Sequence, residues 1–222
     1  MHRLPSSRTP SSVRSLAGVL VVMFALVAAS CTSVTPVHVH TLMPAEIAAP
    51  GQAAAQSGRA PLTIVLSPIR LPAQVDRPQW LVRLPDDSLA VLEQDRWASP
   101  LRDELREAVL EELAVKYGVS EARGAAPGAA PPWRVSIDVR RFDSLPGREA
   151  RSEGSWLIRG ADARTQVARC DWLIREPAPG TLDALAAAHR RAVLRLADAI
   201  GAALVRLDRG EAASCPHTDS PA

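Results

Sequence analysis

Trp133, Val135, Ile137 and Val139 alternate with Arg134, Ser136, Asp138 and Arg140, the period-two pattern of a strand with one buried face. Two more strands are predicted around Arg151–Arg159 and Thr165–Ile174, set off by the turns Leu145-Pro146-Gly147 and Gly160-Ala161-Asp162. Three successive strands with short turns predict an antiparallel meander. Earlier in the chain, Leu62–Leu66 reads as a strand ending at Pro68, and Trp80–Leu84 reads as another. Asp86-Asp87 turn the latter into Leu89–Leu92, which predicts a hairpin. A first strand is predicted in Val37–Leu42 from its branched residues and its alternation.

The period changes to 3.6 in two places. After Ser99 as N-cap and Pro100 at the first helical position, Leu101, Leu105, Ala108, Val109 and Leu113 fall on one side, and Gly118 stands where a left-handed C-terminal residue belongs. A longer helix is predicted from Thr181 to Arg209 with Gly210 beyond it. Its seam of Leu182, Ala186, His189, Val193, Leu196, Ile200, Ala203 and Leu207 advances in alternating steps of four and three. Such a seam either lies on the sheet or docks a second copy, so a homo-oligomer is kept open. The elements together predict an α/β class: a mixed, largely antiparallel sheet of about six strands packed with two main helices, an α/β sandwich.

Composition adds a destination. Leu16 to Cys31 is apolar, follows Arg3, Arg8 and Arg14 with no Asp or Glu, and ends Ala28-Ala29-Ser30-Cys31, the order of a secretory signal peptide. Small residues before a cysteine resemble a bacterial lipobox, with Ala28 in place of the usual Leu. That motif implies cleavage after residue 30, acyl chains on Cys31 and a lipid anchor; an ordinary cleaved signal is the plainer alternative. Thr32, where Asp would favour inner-membrane retention, implies the periplasmic face of the outer membrane. The expected organisation is a signal peptide at 1–30, a lipidated tether at 31–35, one domain at 36–209 with a flexible Ala/Pro/Gly/Gln link at 45–60, and a tail at 210–222. Of 222 residues, 26 are basic and 24 acidic; losing three arginines with the signal leaves near-neutrality, which argues against a nucleic-acid partner.

Three cysteines are an odd number, and lipidation of Cys31 would leave Cys170 and Cys215 to pair in an oxidising compartment. The alternative is a buried Cys170 and a free tail thiol. His38 and His40 share a strand face, but with no third ligand nearby in the sequence a solvated face is preferred over a metal, and no cofactor is expected. His189 in the helix seam reads as a hydrogen-bonded core histidine.

Asp76-Arg77-Pro78-Gln79, then Arg83, the hairpin, and Asp95-Arg96-Trp97-Ala98-Ser99-Pro100-Leu101 form a paired pattern of "DRPQ" and "RWA-PL" around a hairpin. In this the chain resembles the ABC-transport auxiliary lipoproteins of the PqiC type, and the resemblance spans nearly the whole mature domain. It departs at His38–Leu42, where that family tends to carry tyrosines. The resemblance implies an outer-membrane lipoprotein that works with an MCE-domain periplasmic protein and inner-membrane transporter components in lipid transport and membrane integrity, without catalysis of its own. Asp76, Arg77, Pro78, Gln79, Arg83, Arg96 and Trp97 are then either structural or a partner contact.

The chain carries no Gly-x-Ser-x-Gly elbow, no His-Glu-x-x-His helix and no phosphate-cradling glycine loop, so an enzyme is not expected. A structural envelope lipoprotein unrelated to lipid transport is the remaining alternative.

Overall fold

The computed structural model describes residues 36–44, 62–122, 131–160 and 166–215. The expected signal segment, Cys31 with its tether, the link at 45–60 and the end of the tail lie outside the described residues. Eight strands and two helices follow in order there: β1 (His38–His40), β2 (Leu62–Leu66), β3 (Gln79–Arg83), β4 (Leu89–Trp97), α1 (Leu101–Tyr117), β5 (Val119–Glu121), β6 (Trp133–Leu145), β7 (Glu149–Arg159), β8 (Gln166–Pro177) and α2 (Leu182–Asp208).

The meander forms as the alternation predicts. Val135, Ile137 and Val139 of β6 pair in register with Ile158, Trp156 and Gly154 of β7, and Trp156 and Gly154 in turn face Cys170 and Trp172 of β8. All of these positions are buried on the core face. β2 adds to β6 in parallel, and β5 adds to β2 in parallel, giving a five-stranded sheet of order β5-β2-β6-β7-β8. The β3–β4 hairpin is antiparallel, with β1 parallel to β4 at its other side, in a separate sheet of order β1-β4-β3.

The class is the mixed α/β arrangement expected. Two details differ from the sequence reading: the strands divide between two sheets, and β5 is added. The division follows from β6, whose register shifts between Val139 and Arg141. Beyond that point its end turns toward the hairpin, where Trp80 Nε1–H donates to Ser144 Oγ at 2.8 Å and Arg83 reaches Asp143 at 3.1 Å.

Thr181 caps α2 by accepting from the Ala184 N–H, and Gly118 ends α1 in the left-handed conformation at φ 64°. Ser99 does not cap α1. The Pro100 carbonyl accepts from Asp103 and Glu104, so the boundary residue is Pro100 and the helix starts at Leu101. The seam of α2 is buried from Ala186 to Ala203, with Leu182 and Leu207 half-buried at its ends. Helix α2 packs on α1, β7 and β8, so its seam is laid inside the domain and offers no face to a second copy. Where the helices cross, the Tyr117 ring occupies the place a Cβ on Gly201 would take, 2.3 Å from the nearest ring atom. A methyl there would push the helices apart.

Candidate functional site

The paired motif folds into one junction of β1, the hairpin base and the start of α1. The Pro78 carbonyl accepts the Trp97 N–H at 3.3 Å, and Gln79 stands opposite Arg96 across a register shift. Asp76 forms an ion pair with Arg102 of α1. The Ala98 N–H donates to the His40 carbonyl at 2.8 Å, which hangs β1 on the same junction. Arg83 reaches away toward Asp143, which is buried. Arg77 is exposed, and Arg96 is half-buried with an Nε that has no hydrogen-bond partner.

Glu104 holds this junction, and the sequence reading missed it. Its carboxylate is buried and accepts four hydrogen bonds: Thr41 Oγ1–H at 2.7 Å, the Leu42 N–H at 2.8 Å, the Ser99 N–H at 3.1 Å and Ser99 Oγ–H at 3.0 Å. A carboxylate has room for about four such donors, so its capacity is filled. The available signal was position: Glu104 lies on the apolar stripe of α1 between Leu101 and Leu105. In Glu104→Gln an amide NH₂ must face one of the two backbone N–H groups, whichever way it turns. We expect a loss of about 2 kcal/mol, read as a lower urea midpoint at unchanged slope; an unchanged midpoint would show that the junction does not need the charge.

Above the junction sits an aromatic cluster. Trp80 lies 4.7 Å from Trp97 and 4.7 Å from His40, centroid to centroid, and Phe142 stacks on His189 at 4.1 Å. Ser144 Oγ accepts a hydrogen bond from the Trp80 indole N–H and meets His189 Nε2 at 2.8 Å, while His189 Nδ1 has no hydrogen-bond partner among the described residues. With no counter-charge, burial alone pushes the His189 pKa down to about 3. A serine on a histidine is two members of a catalytic triad, yet here both are buried, no carboxylate among the described residues bonds the ring, and an indole N–H occupies the serine oxygen. The pair is built to fill and bind a core.

An open cleft of about 490 Å³ beside this junction is lined by Val37, His38, Val39, His40, Asp95, Leu182 and Asp183. His40 Nε2 is 2.8 Å from Asp95 Oδ1 and its Nδ1 is 3.5 Å from Asp183 Oδ1, so the ring bridges β4 to the start of α2. His38 is 3.6 Å from the same Asp95 oxygen. The two histidines do lie on one side and reach the same carboxylate, but the face is not the solvated one expected: His38 is exposed, whereas His40 is buried under Trp80. Among the described residues no group of three or more His, Cys, Asp or Glu is arranged to hold a metal ion. Carboxylates and imidazoles that satisfy one another tie strand to helix.

Elsewhere, Tyr117 donates to the Asp198 carbonyl at 3.1 Å, and burial together with the Asp198 charge pushes its pKa up to about 12. Cys170 of β8 and Cys215 of the tail are joined by a disulfide, with their Cα atoms 5.4 Å apart. No helix among the described residues is long and apolar enough to cross a membrane.

The model of a family described as "ABC-type transport auxiliary lipoprotein component" matches residues 46–201. No curated protein matches the chain. Among solved structures, that of an uncharacterised protein superposes with a TM-score of 0.59 at 13% identity, covering 75% of this chain and 97% of that one. A protein from Xanthomonas campestris superposes with a TM-score of 0.54 at 21% identity, covering 79% and 95% respectively. These two share the fold.

Proposed function

Because this chain belongs to the ABC-type transport auxiliary lipoprotein family, we propose that it is the outer-membrane subunit of an MCE-type lipid transport system, anchored through acyl chains on Cys31 at the periplasmic face. It docks an MCE-domain periplasmic protein whose inner-membrane components supply the energy, does no chemistry itself, and so supports envelope integrity. The observation that carries this reading is the family match, which runs from before β2 into α2 and so takes in the whole five-stranded sheet, the β3–β4 hairpin, α1 and most of α2, leaving β1 outside. The junction fits the role. Pro78 and Trp97 of the motif close the hairpin base and Asp76 ties it to α1, which leaves exposed Arg77, with half-buried Arg96 beneath, as the group that can meet a partner.

Two measurements test it. Intact mass of the native protein is expected to show an acylated Cys31, and Cys31→Ala is expected to lose the acyl mass and the outer-membrane fraction together, since several acyl chains make a stable anchor. An unmodified amino terminus in the native protein would end the anchoring argument. Detergent extracts are expected to yield an MCE-domain protein with the tagged wild type. An acylated, folded protein that recovers no transporter component would favour the structural-lipoprotein alternative.

A further inference from the structure

The outer face of the five-stranded sheet, opposite the helices, is rich in arginine, and most of that arginine is paired. Arg70 reaches Asp138 at 2.8 Å, Arg140 reaches Asp171 at 2.8 Å, Arg141 reaches Glu153 at 3.6 Å, and Arg151 also pairs with Glu153. At the β7–β8 turn end the pattern stops. Arg134 and Arg159 stand directly opposite each other across β6 and β7, and Arg169 stands opposite Leu157, one same-face position from Arg159. All three are exposed, and none has an ion-pair or hydrogen-bond partner for its guanidinium among the described residues. Among the described residues, the carboxylates next along β6 and β8 on this face, Asp138 and Asp171, are already taken by Arg70 and Arg140.

Like charges placed directly opposite on antiparallel strands destabilise the sheet, and the diagonal neighbour is only about 7–8 Å away. An arrangement that works against the fold, beside a face where Arg70, Arg140, Arg141 and Arg151 all reach carboxylates, calls for an external anion. We propose that Arg134, Arg159 and Arg169 form a binding patch for the phosphates of anionic lipid headgroups. Guanidinium forks pair bidentately with phosphate oxygens, and a sheet presents them on one flat surface with half-buried Leu157 between them. The proposal rests on the membrane-anchored reading above only for its setting: a chain held at a bilayer meets headgroups at high local concentration, and three arginines give it a preferred face.

The test uses the mature chain from residue 31 with Cys31→Ser, so that no acyl chain contributes. Co-sedimentation is measured with vesicles of phosphatidylcholine alone and of phosphatidylcholine with 30% phosphatidylglycerol. Each basic residue at an anionic surface is worth about fivefold in binding, so the triple variant Arg134→Gln, Arg159→Gln, Arg169→Gln is expected to lose about 100-fold on the anionic vesicles. Removing equal charge on α2, with Arg191→Gln, Arg195→Gln and Arg206→Gln, is expected to change binding less than threefold. The patch variant should keep or raise its thermal midpoint, because the opposed charges are gone. Equal losses in both triple variants would overturn the proposal, as would absence of binding to the anionic vesicles. So would a patch that ignores vesicles yet binds an acidic polypeptide, and so would inorganic phosphate at millimolar concentration abolishing vesicle binding while binding the patch tightly by itself. Failure of Cys31 acylation in the native protein leaves all these outcomes readable, since the anchor plays no part in them.

Discussion

Between pH 7 and pH 4.5 the domain is expected to lose about 2–3 kcal/mol of folding stability through His189 alone. Burial holds this ring's pKa near 3 in the folded state, against an ordinary value of 6.5 when the chain unfolds. Over the interval between those values the unfolded chain takes up a proton that the folded one refuses, so stability is complete above about pH 6.5 and drains as the pH falls toward 3. The folded structure supplies the reason: the ring is wholly buried against Phe142, its Nε2 is engaged by Ser144, and its Nδ1 faces no carboxylate. Urea titrations at several pH values check this, with His189→Leu as the comparison. That variant starts lower at pH 7, because Ser144 loses a partner, but its stability should fall by about 2–3 kcal/mol less over the same range. Parallel slopes for the two proteins would show that the ring titrates freely.

Gly154→Ala should cost at least about 3 kcal/mol, at the severe end for a single methyl. A Cβ at this position would lie 2.3 Å from the Asp138 carbonyl oxygen and 2.4 Å from the Trp172 ring. The ring is buried and its Nε1–H is held by Ser152 at 3.1 Å, while the carbonyl belongs to the middle of β6, so neither neighbour can yield cheaply. Arg140 donates to the Gly154 carbonyl at 3.2 Å across the register shift of β6, so strand and bulge are shaped to each other. Denaturant midpoints of Gly154→Ala and of Gly154→Ala with Trp172→Leu separate the two clashes: the double variant relieves the ring and leaves the carbonyl. A single variant within about 1 kcal/mol of wild type would mean that β6 and β7 are not so closely apposed.

Local patterns made much of this legible. The alternation from Trp133 to Val139, the cap at Thr181 and the left-handed Gly118 each depend on neighbours in the chain, and each stands in the structure. Distant pairings were not legible. β5 is only three residues, Val119–Glu121, and exists because β2 lies alongside it. β4 runs on through Glu93, Gln94, Asp95 and Arg96, which break the apolar alternation, because β1 and the His40 ring cover Asp95. The junction shows the same divide. Its motif residues could be picked from the sequence, whereas Glu104, which receives Thr41 from 63 residues away and Ser99 from 5, is defined only by what the fold brings to it.

The disulfide between β8 and the tail carries a consequence for export. Cys170 belongs to β8 and Cys215 follows α2, at a sequence separation of 45, so on the proposed export route one thiol would reach the far compartment before its mate. With Cys31 acylated as proposed, an amino-terminus-first passage delivers the meander with a single free thiol, and an oxidant met before Cys215 follows joins that thiol to another molecule. Secretion strains lacking a disulfide isomerase should accumulate mixed dimers through Cys170, and dimers of this kind should vanish on reduction.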